Sequence, residues 1–232
     1  MPRVGRIVIP GVPHHVTQRG NNRQDVFFVD DDRRMYLSLL KYHASEHALS
    51  VLGYCLMSNH VHLLVEPRRA DSLAKAIGRT HLLYAQYIHR LHDRSGHLWQ
   101  SRFFSCPLDD AQCWAALRYI ERNPVRAKVV RSAWRYRWSS AAAHCGLGYP
   151  RALLDLGPWS AAWTAEAWKE QLRRPEHKQE MLALRANTRT GRPLGSDAFI
   201  NKIERASGRR LRPLPVGRPS KLMAKGREAG ST

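Results

Sequence analysis

Two histidines one residue apart, His60 and His62, are the first residues here whose types and spacing suggest chemistry. They open the run His-Val-His-Leu-Leu-Val-Glu, which follows Leu-Gly-Tyr-Cys-Leu-Met across Ser58-Asn59. Two apolar runs around a pair of turn formers predict a β-hairpin over 52–66. Alternate side chains of a strand share a face, so His60 and His62 project together, about 6.6 Å apart at Cα, while Val61 points away. Two imidazoles so placed can close on one divalent ion. With 12 histidines in 232 residues a His-x-His pair also arises by chance, so its weight rests on its place at the mouth of a hairpin and on a partner later in the chain.

That partner is Arg118-Tyr119-Ile120-Glu121-Arg122-Asn123. Asp109-Asp110 predicts the start of a helix over 111–122, interrupted by Pro124 and resumed over 125–130. Residues four apart share a helix face, so Tyr119 and Asn123 point together and Ile120 turns to the core. A helix of this kind beside the His60 strand gathers a phenol, an amide oxygen and two imidazoles. A phenol is a poor nucleophile at its free pKa near ~10, but a metal that polarises a phosphate and aligns the leaving oxygen removes much of that handicap. The implied chemistry is transesterification: Tyr119 attacks a phosphodiester, keeps the 5′ phosphate and releases a 3′ hydroxyl. The ordinary alternative for Tyr119 is a half-buried packing residue.

These residues need a frame. A first strand is expected over 13–19, and Gly20-Asn21-Asn22-Arg23-Gln24 follows as a turn whose glycine and asparagines tolerate left-handed backbone. Arg19, Asn21, Asn22 and Arg23 form a candidate phosphate cradle there, against the alternative of an ordinary surface turn. Asp30 or Asp31 opens a helix to about 48, and Asp71-Ser72 opens another that ends near 95–96. A fourth strand is expected over 97–107, carrying Trp99, Phe103 and Phe104 beside Arg102, a mixture suited to stacking bases and holding phosphates, although Trp99 or Phe103 must serve the core. Strand, helix, strand, strand, helix, strand, helix is the ferredoxin-like (RRM-like) α+β plan, an antiparallel sheet with helices on one face and the other left for a ligand.

Residues 1–133 thus form the expected catalytic domain, and the tryptophan-rich segment 134–184 a helical extension packed on it. From 185 to 232 Gly, Pro and Arg dominate. Gly191-Arg192-Pro193 and Gly217-Arg218-Pro219 bracket one small amphipathic helix over 196–207, closed by Gly208. Such a tail cannot build its own core and is expected to contact a polyanion, with Arg192 and Arg218 held extended for a narrow minor groove.

Charge agrees. Lys and Arg number 38 against 19 Asp and Glu, a formal net charge of +19, which makes nucleic acid the leading partner and an anionic membrane surface the second. No apolar run approaches the ~20 residues of a membrane span and no signal segment opens the chain, so a soluble, cytoplasmic, nucleoid-associated protein without membrane partners is expected. Cys55, Cys106, Cys113 and Cys145 lack paired spacing and read as reduced packing residues.

Four strings carry a resemblance: Val-Thr-Gln-Arg-Gly-Asn-Asn-Arg-Gln from 16, Met-Ser-Asn-His-Val-His-Leu-Leu-Val from 57, Leu-Trp-Gln-Ser-Arg-Phe from 98 and Tyr-Ile-Glu-Arg-Asn-Pro-Val-Arg-Ala from 119. In this order, over roughly 13–130, the sequence resembles the single-tyrosine HUH transposases, specifically the REP-associated tyrosine transposases, and the Gly-Arg-Pro tail is similar to that branch's C-terminal extension. The resemblance implies a metal-dependent endonuclease and strand transferase that cuts single-stranded or hairpin DNA near REP-like palindromes through a 5′-phosphotyrosine. It makes His60 and His62 metal ligands and Tyr119 the nucleophile. Related insertion-sequence enzymes carry a glutamine ligand four residues after the tyrosine; Asn123 stands here, one methylene shorter, and reaches the ion directly or through water. Mg²⁺ or Mn²⁺ suits phosphoryl oxygens and water; no small-molecule cofactor is implied, and the protein is expected as a monomer or homodimer. Two rivals remain open: a non-catalytic nucleic-acid-binding module of the same fold, and a zinc hydrolase, which lacks a third histidine or carboxylate.

Overall fold

A computed structural model describes residues 5–148 and 152–212. Among these, β1 (His14–Arg19), α1 (Asp30–Glu46), β2 (Leu49–Met57), β3 (His60–Pro67), α2 (Ser72–Leu91), β4 (Phe104–Pro107) and α3 (Asp110–Glu121) follow in the expected order. The sheet runs β2-β3-β1-β4 with every pairing antiparallel, the ferredoxin-like α+β arrangement. The turn between β2 and β3 is Ser58-Asn59, as the sequence indicates.

Alternation divides the sheet. Val16, Tyr54, Leu56, Val61, Leu63 and Val65 face α1 and α2 and build the larger core with Tyr36, Leu40, Ile77, Tyr84 and Ile88. The first turn of α1 is fixed by Asp32, whose carboxylate accepts from the backbone N–H groups of Phe28 (2.7 Å) and Val29 (3.0 Å). Leu52, Cys55, Leu64 and Cys106 face the other way, against Leu117 and Ile120 of α3. Helices therefore cover part of both faces, where the sequence reading left the second face to a ligand. The close approach of α3 needs Gly53: the β2–β3 register slips between Val51 and Gly53, and a Cβ at 53 would lie 2.3 Å from Leu117 Cδ1.

Several boundaries differ from expectation. The fourth strand is only Phe104–Pro107, because Trp99 and Phe103 turn toward the α2 side, where both rings pack on His81 and the Trp99 indole N–H donates to the His81 carbonyl at 3.0 Å; both belong to the core. The helix before Pro124 ends at Glu121, and a single turn, α4 (Asn123–Arg126), takes the proline near its start and does not continue to 130. Beyond it lie α5 (Ala141–His144), α6 (Gly157–Ala162), α7 (Ala165–Arg173), α8 (Lys178–Thr190) and α9 (Asp197–Ser207).

Glu121 ties the extension to α3. Its carboxylate is fully buried and accepts from Ser140 Oγ (2.5 Å), His144 Nδ1 (2.5 Å) and Trp168 Nε1 (2.8 Å). Glu121→Ala removes the acceptor shared by three buried donors, leaving His144 Nδ1 and Trp168 Nε1 without a partner, and is expected to cost about 3–5 kcal/mol, read as a fall in the denaturant midpoint; a loss below about 1 kcal/mol would show that the network does not anchor the extension.

α8 runs continuously through 184–185, where the composition changes. After its Gly191 cap, at φ 73°, the chain follows β4: Leu194 N–H donates to the Pro107 carbonyl at 2.9 Å and Asp109 N–H to the Leu194 carbonyl at 3.2 Å, covering the sheet edge. α9 forms as the sequence indicates, capped by Ser196 and Gly208. Contrary to expectation, this segment does share a core, in which Ile203, Leu211 and Phe199 close over Ile7 and Val12. Arg218 lies outside the described residues. All four cysteines are free and buried, and no helix among the described residues is long and apolar enough to cross a membrane.

Candidate active site

Where α3 does not cover the sheet, β1 and β3 expose their alternate residues. Arg19 pairs with His60 and Thr17 with His62 across the two strands, so both imidazoles stand on the α3 face, their centroids 5.0 Å apart. α3 brings Tyr119 to the same place, its ring edge-on to His62 at 5.6 Å. The break at Arg122 does not carry Asn123 away: its side-chain nitrogen lies 3.4 Å from His60 Nε2. Tyr119, His60, His62 and Asn123 thus line one cleft of about 740 Å³, together with His15, Arg19, Arg185 and Thr188.

The imidazoles are held neutral. Burial, then the charges of Arg19 and Arg126, push His60 down to about 4, opposed by its contact with Asn123. Burial pushes His62 well below its ordinary value, with His60, His15 and two arginines adding to it, and burial alone takes His15 to about 3. The Asn59 amide N–H donates to the Arg23 carbonyl (3.0 Å), leaving Oδ1, 2.6 Å from His60 Nδ1, to accept from it. His60 therefore offers its Nε2 lone pair beside Asn123. Neutral nitrogens and an amide oxygen fit a divalent ion that completes its shell with water or phosphate oxygen. Among the described residues no group of three or more His, Cys, Asp and Glu could hold a metal, so an ion here would rely on two histidines and the amide.

Tyr119 is held on several sides. Only 6% of it is exposed; the Arg126 guanidinium lies 4.2 Å above its ring, braced by Glu176 at 2.6 Å, and Arg185 Nε–H donates to its hydroxyl oxygen at 3.1 Å. Arg185, His15 and Thr188 were not singled out in the sequence. The Leu184–Thr188 spacing and buried face of α8 were the only local signal; the contacts with Tyr119 and His15 span 66 and 173 residues.

The proposed DNA contacts separate. Arg19 lines the cleft. Arg102 and Arg192 line an adjoining groove of about 560 Å³, with Arg6, Arg189, Arg209 and Arg210. Ser101, Phe104, Thr188 and Arg189 border both spaces, and Phe104, 39% exposed, supplies an accessible aromatic face between them. Asn21, Asn22 and Arg23 line neither space. Asn22 and Arg23 do adopt left-handed backbone, φ 50° and 61°, but the N–H groups of Gly20, Asn21, Arg23 and Gln24 are spent on carbonyls of the chain, and the Arg23 carbonyl orients Asn59.

Comparison with known proteins agrees with this geometry. Residues 10–123 match the family described as IS200-like transposase. No curated protein matches the chain. Among solved structures, a REP-associated tyrosine transposase bound to a REP hairpin superposes with a TM-score of 0.52 at 15% identity, over 67% of this chain and 92% of that one; at this identity the likeness speaks to the fold. A Deinococcus radiodurans protein described as a transposase aligns at 18% identity over 55% of this chain and 92% of its own, and its TM-score of 0.37 is too low to add weight. The sheet, both histidines, Tyr119 and Asn123 all lie inside the segment that matches the IS200-like transposase family.

Proposed function

We propose that this protein is a metal-dependent DNA strand transferase that cuts single-stranded DNA beside a REP-like hairpin through a covalent 5′-phosphotyrosine on Tyr119. The observation that carries this reading is the meeting of the Tyr119 hydroxyl, two neutral imidazoles and the Asn123 amide in one cleft. The solved relative bound to a REP hairpin supports hairpin DNA as the partner, and the arginine groove beside the cleft suits a phosphate backbone.

His60, His62 and Asn123 would hold the ion, Mg²⁺ or Mn²⁺, whose chemistry is to polarise the phosphodiester and neutralise its charge. Arg126 on the ring and Arg185 at the hydroxyl keep Tyr119 oriented, and the Arg185 charge favours the negative charge that develops as the phenol loses its proton. The attacking oxygen forms the P–O bond, the 3′ oxygen leaves with a proton as a hydroxyl, and the 5′ phosphate stays on Tyr119. Reversal with a different 3′ hydroxyl rejoins the strand.

Incubation with labelled hairpin DNA and Mg²⁺ or Mn²⁺ should give a denaturant-resistant shifted band. The double substitution His60→Ala/His62→Ala should lose that band while still retarding the hairpin in a native gel. Hairpin binding by the wild type with no covalent band under either ion would favour a non-catalytic binding module instead.

A further inference from the structure

We infer that His15 and Thr188 are positioning residues: with the Leu184 carbonyl they form a hydrogen-bonded relay that holds His62 as its Nδ1–H tautomer and turns its Nε2 lone pair into the cleft. Thr188 Oγ lies 2.7 Å from the Leu184 carbonyl and 2.8 Å from His15 Nδ1. A carbonyl only accepts and a hydroxyl has one hydrogen, so Thr188 donates to Leu184 and accepts from His15 Nδ1–H. A neutral imidazole has a single N–H, which leaves His15 Nε2 as an acceptor. That nitrogen is 2.9 Å from His62 Nδ1, which must therefore donate. His62 keeps Nε2 as its free lone pair. The two rings lie within 11° of parallel with centroids 5.2 Å apart, edge to edge as an in-plane hydrogen bond requires, and Tyr119 stands edge-on to both, so neither can swing without losing the contact.

His60 is set by the same logic from another part of the chain, through Asn59 and the Arg23 carbonyl. Each histidine of the pair thus has an outer partner that dictates which nitrogen faces the cleft, and such partners govern ligand basicity and orientation at metal sites. The relay places the choice for His62 on α8, far along the chain from β3. Its value for metal binding rests on the reading of His62 as a ligand; the tautomer itself does not.

The test uses the full chain with ¹⁵N-labelled histidine. Long-range ¹H–¹⁵N spectra of the metal-free protein should show His62 protonated at Nδ1. Thr188→Val, nearly isosteric but without the hydroxyl, should shift His62 toward the Nε2–H form and weaken binding of Mn²⁺ alone, followed by calorimetry, by about ten- to a hundredfold; Thr188→Ser should restore both. An Nε2–H tautomer in the wild type would overturn the relay, as would a folded Thr188→Val protein with unchanged spectrum and Mn²⁺ affinity. The wild-type spectrum decides the tautomer even if Thr188→Val fails to fold. An Nδ1–H signal in a wild type without Mn²⁺ affinity would uphold the relay and remove the metal assignment instead.

Discussion

Tyr119→Phe is expected to abolish DNA cleavage, by at least about a thousandfold in rate, while leaving hairpin affinity nearly unchanged. The substitution removes one oxygen. The ring keeps the Arg126 guanidinium 4.2 Å from its centre and His62 at its edge, so the shape of the cleft survives. What is lost is the attacking atom and the acceptor for Arg185 Nε–H. Arg185 lies on the cleft wall, where it can turn to water, so the cost in folding should be within about 1 kcal/mol. Single-turnover cleavage on denaturing gels, beside native-gel titration of the same variant, separates the two effects. Normal nicking by the phenylalanine variant would end the assignment of Tyr119 as nucleophile.

Truncation after Leu184 should be as severe, for a different reason. Composition alone makes residue 185 the start of a DNA-contacting tail, and on that reading the shortened chain stays folded and keeps Tyr119 chemistry while losing hairpin affinity, salt dependence and selectivity. The contacts made beyond Leu184 predict a larger loss. The cut removes Arg185 from the phenol and Thr188 from His15, strips the strand edge of its Leu194 contacts, and uncovers Ile7 and Val12. Cleavage should vanish even at saturating DNA, and the melting temperature should fall by roughly 10 °C or more. A chain ending at Arg212 should keep both its stability and its cleavage, while binding the hairpin more weakly and with a shallower salt slope as the cations beyond it are lost. Full activity in the chain ending at Leu184 would mean that α8 has no part in the site.

The contrast shows where sequence is legible. Ser58-Asn59 between two apolar runs, Asp109 ahead of a helix and the order of elements are local signals, and from them follow the hairpin, the sheet and the meeting of His60, His62, Tyr119 and Asn123. The fourth strand is shorter than its sequence suggests because aromatic residues at 99 and 103 fit a strand as well as they fit an irregular segment packed on His81. Arginine-rich composition hid the end of α8, since Leu184 and Thr188 are the only buried residues on that helix. In the sequence His15 is simply one residue of a strand. No periodicity announces a contact 173 residues away, and the turn at Asn22 and Arg23 looked like an anion cradle because its conformation, though not its spare amides, fits one.

That long separation also sets a clock. A chain made at about 5–20 residues per second brings Thr188 out roughly 9–35 s after His15. In the later part of that interval, once Tyr119 has been made, the sheet and Tyr119 can already be folded, but the helix that supplies Arg185 and Thr188 has yet to be made. On the proposed function, a nascent chain stays unarmed until the helix bearing Arg185 and Thr188 has been translated.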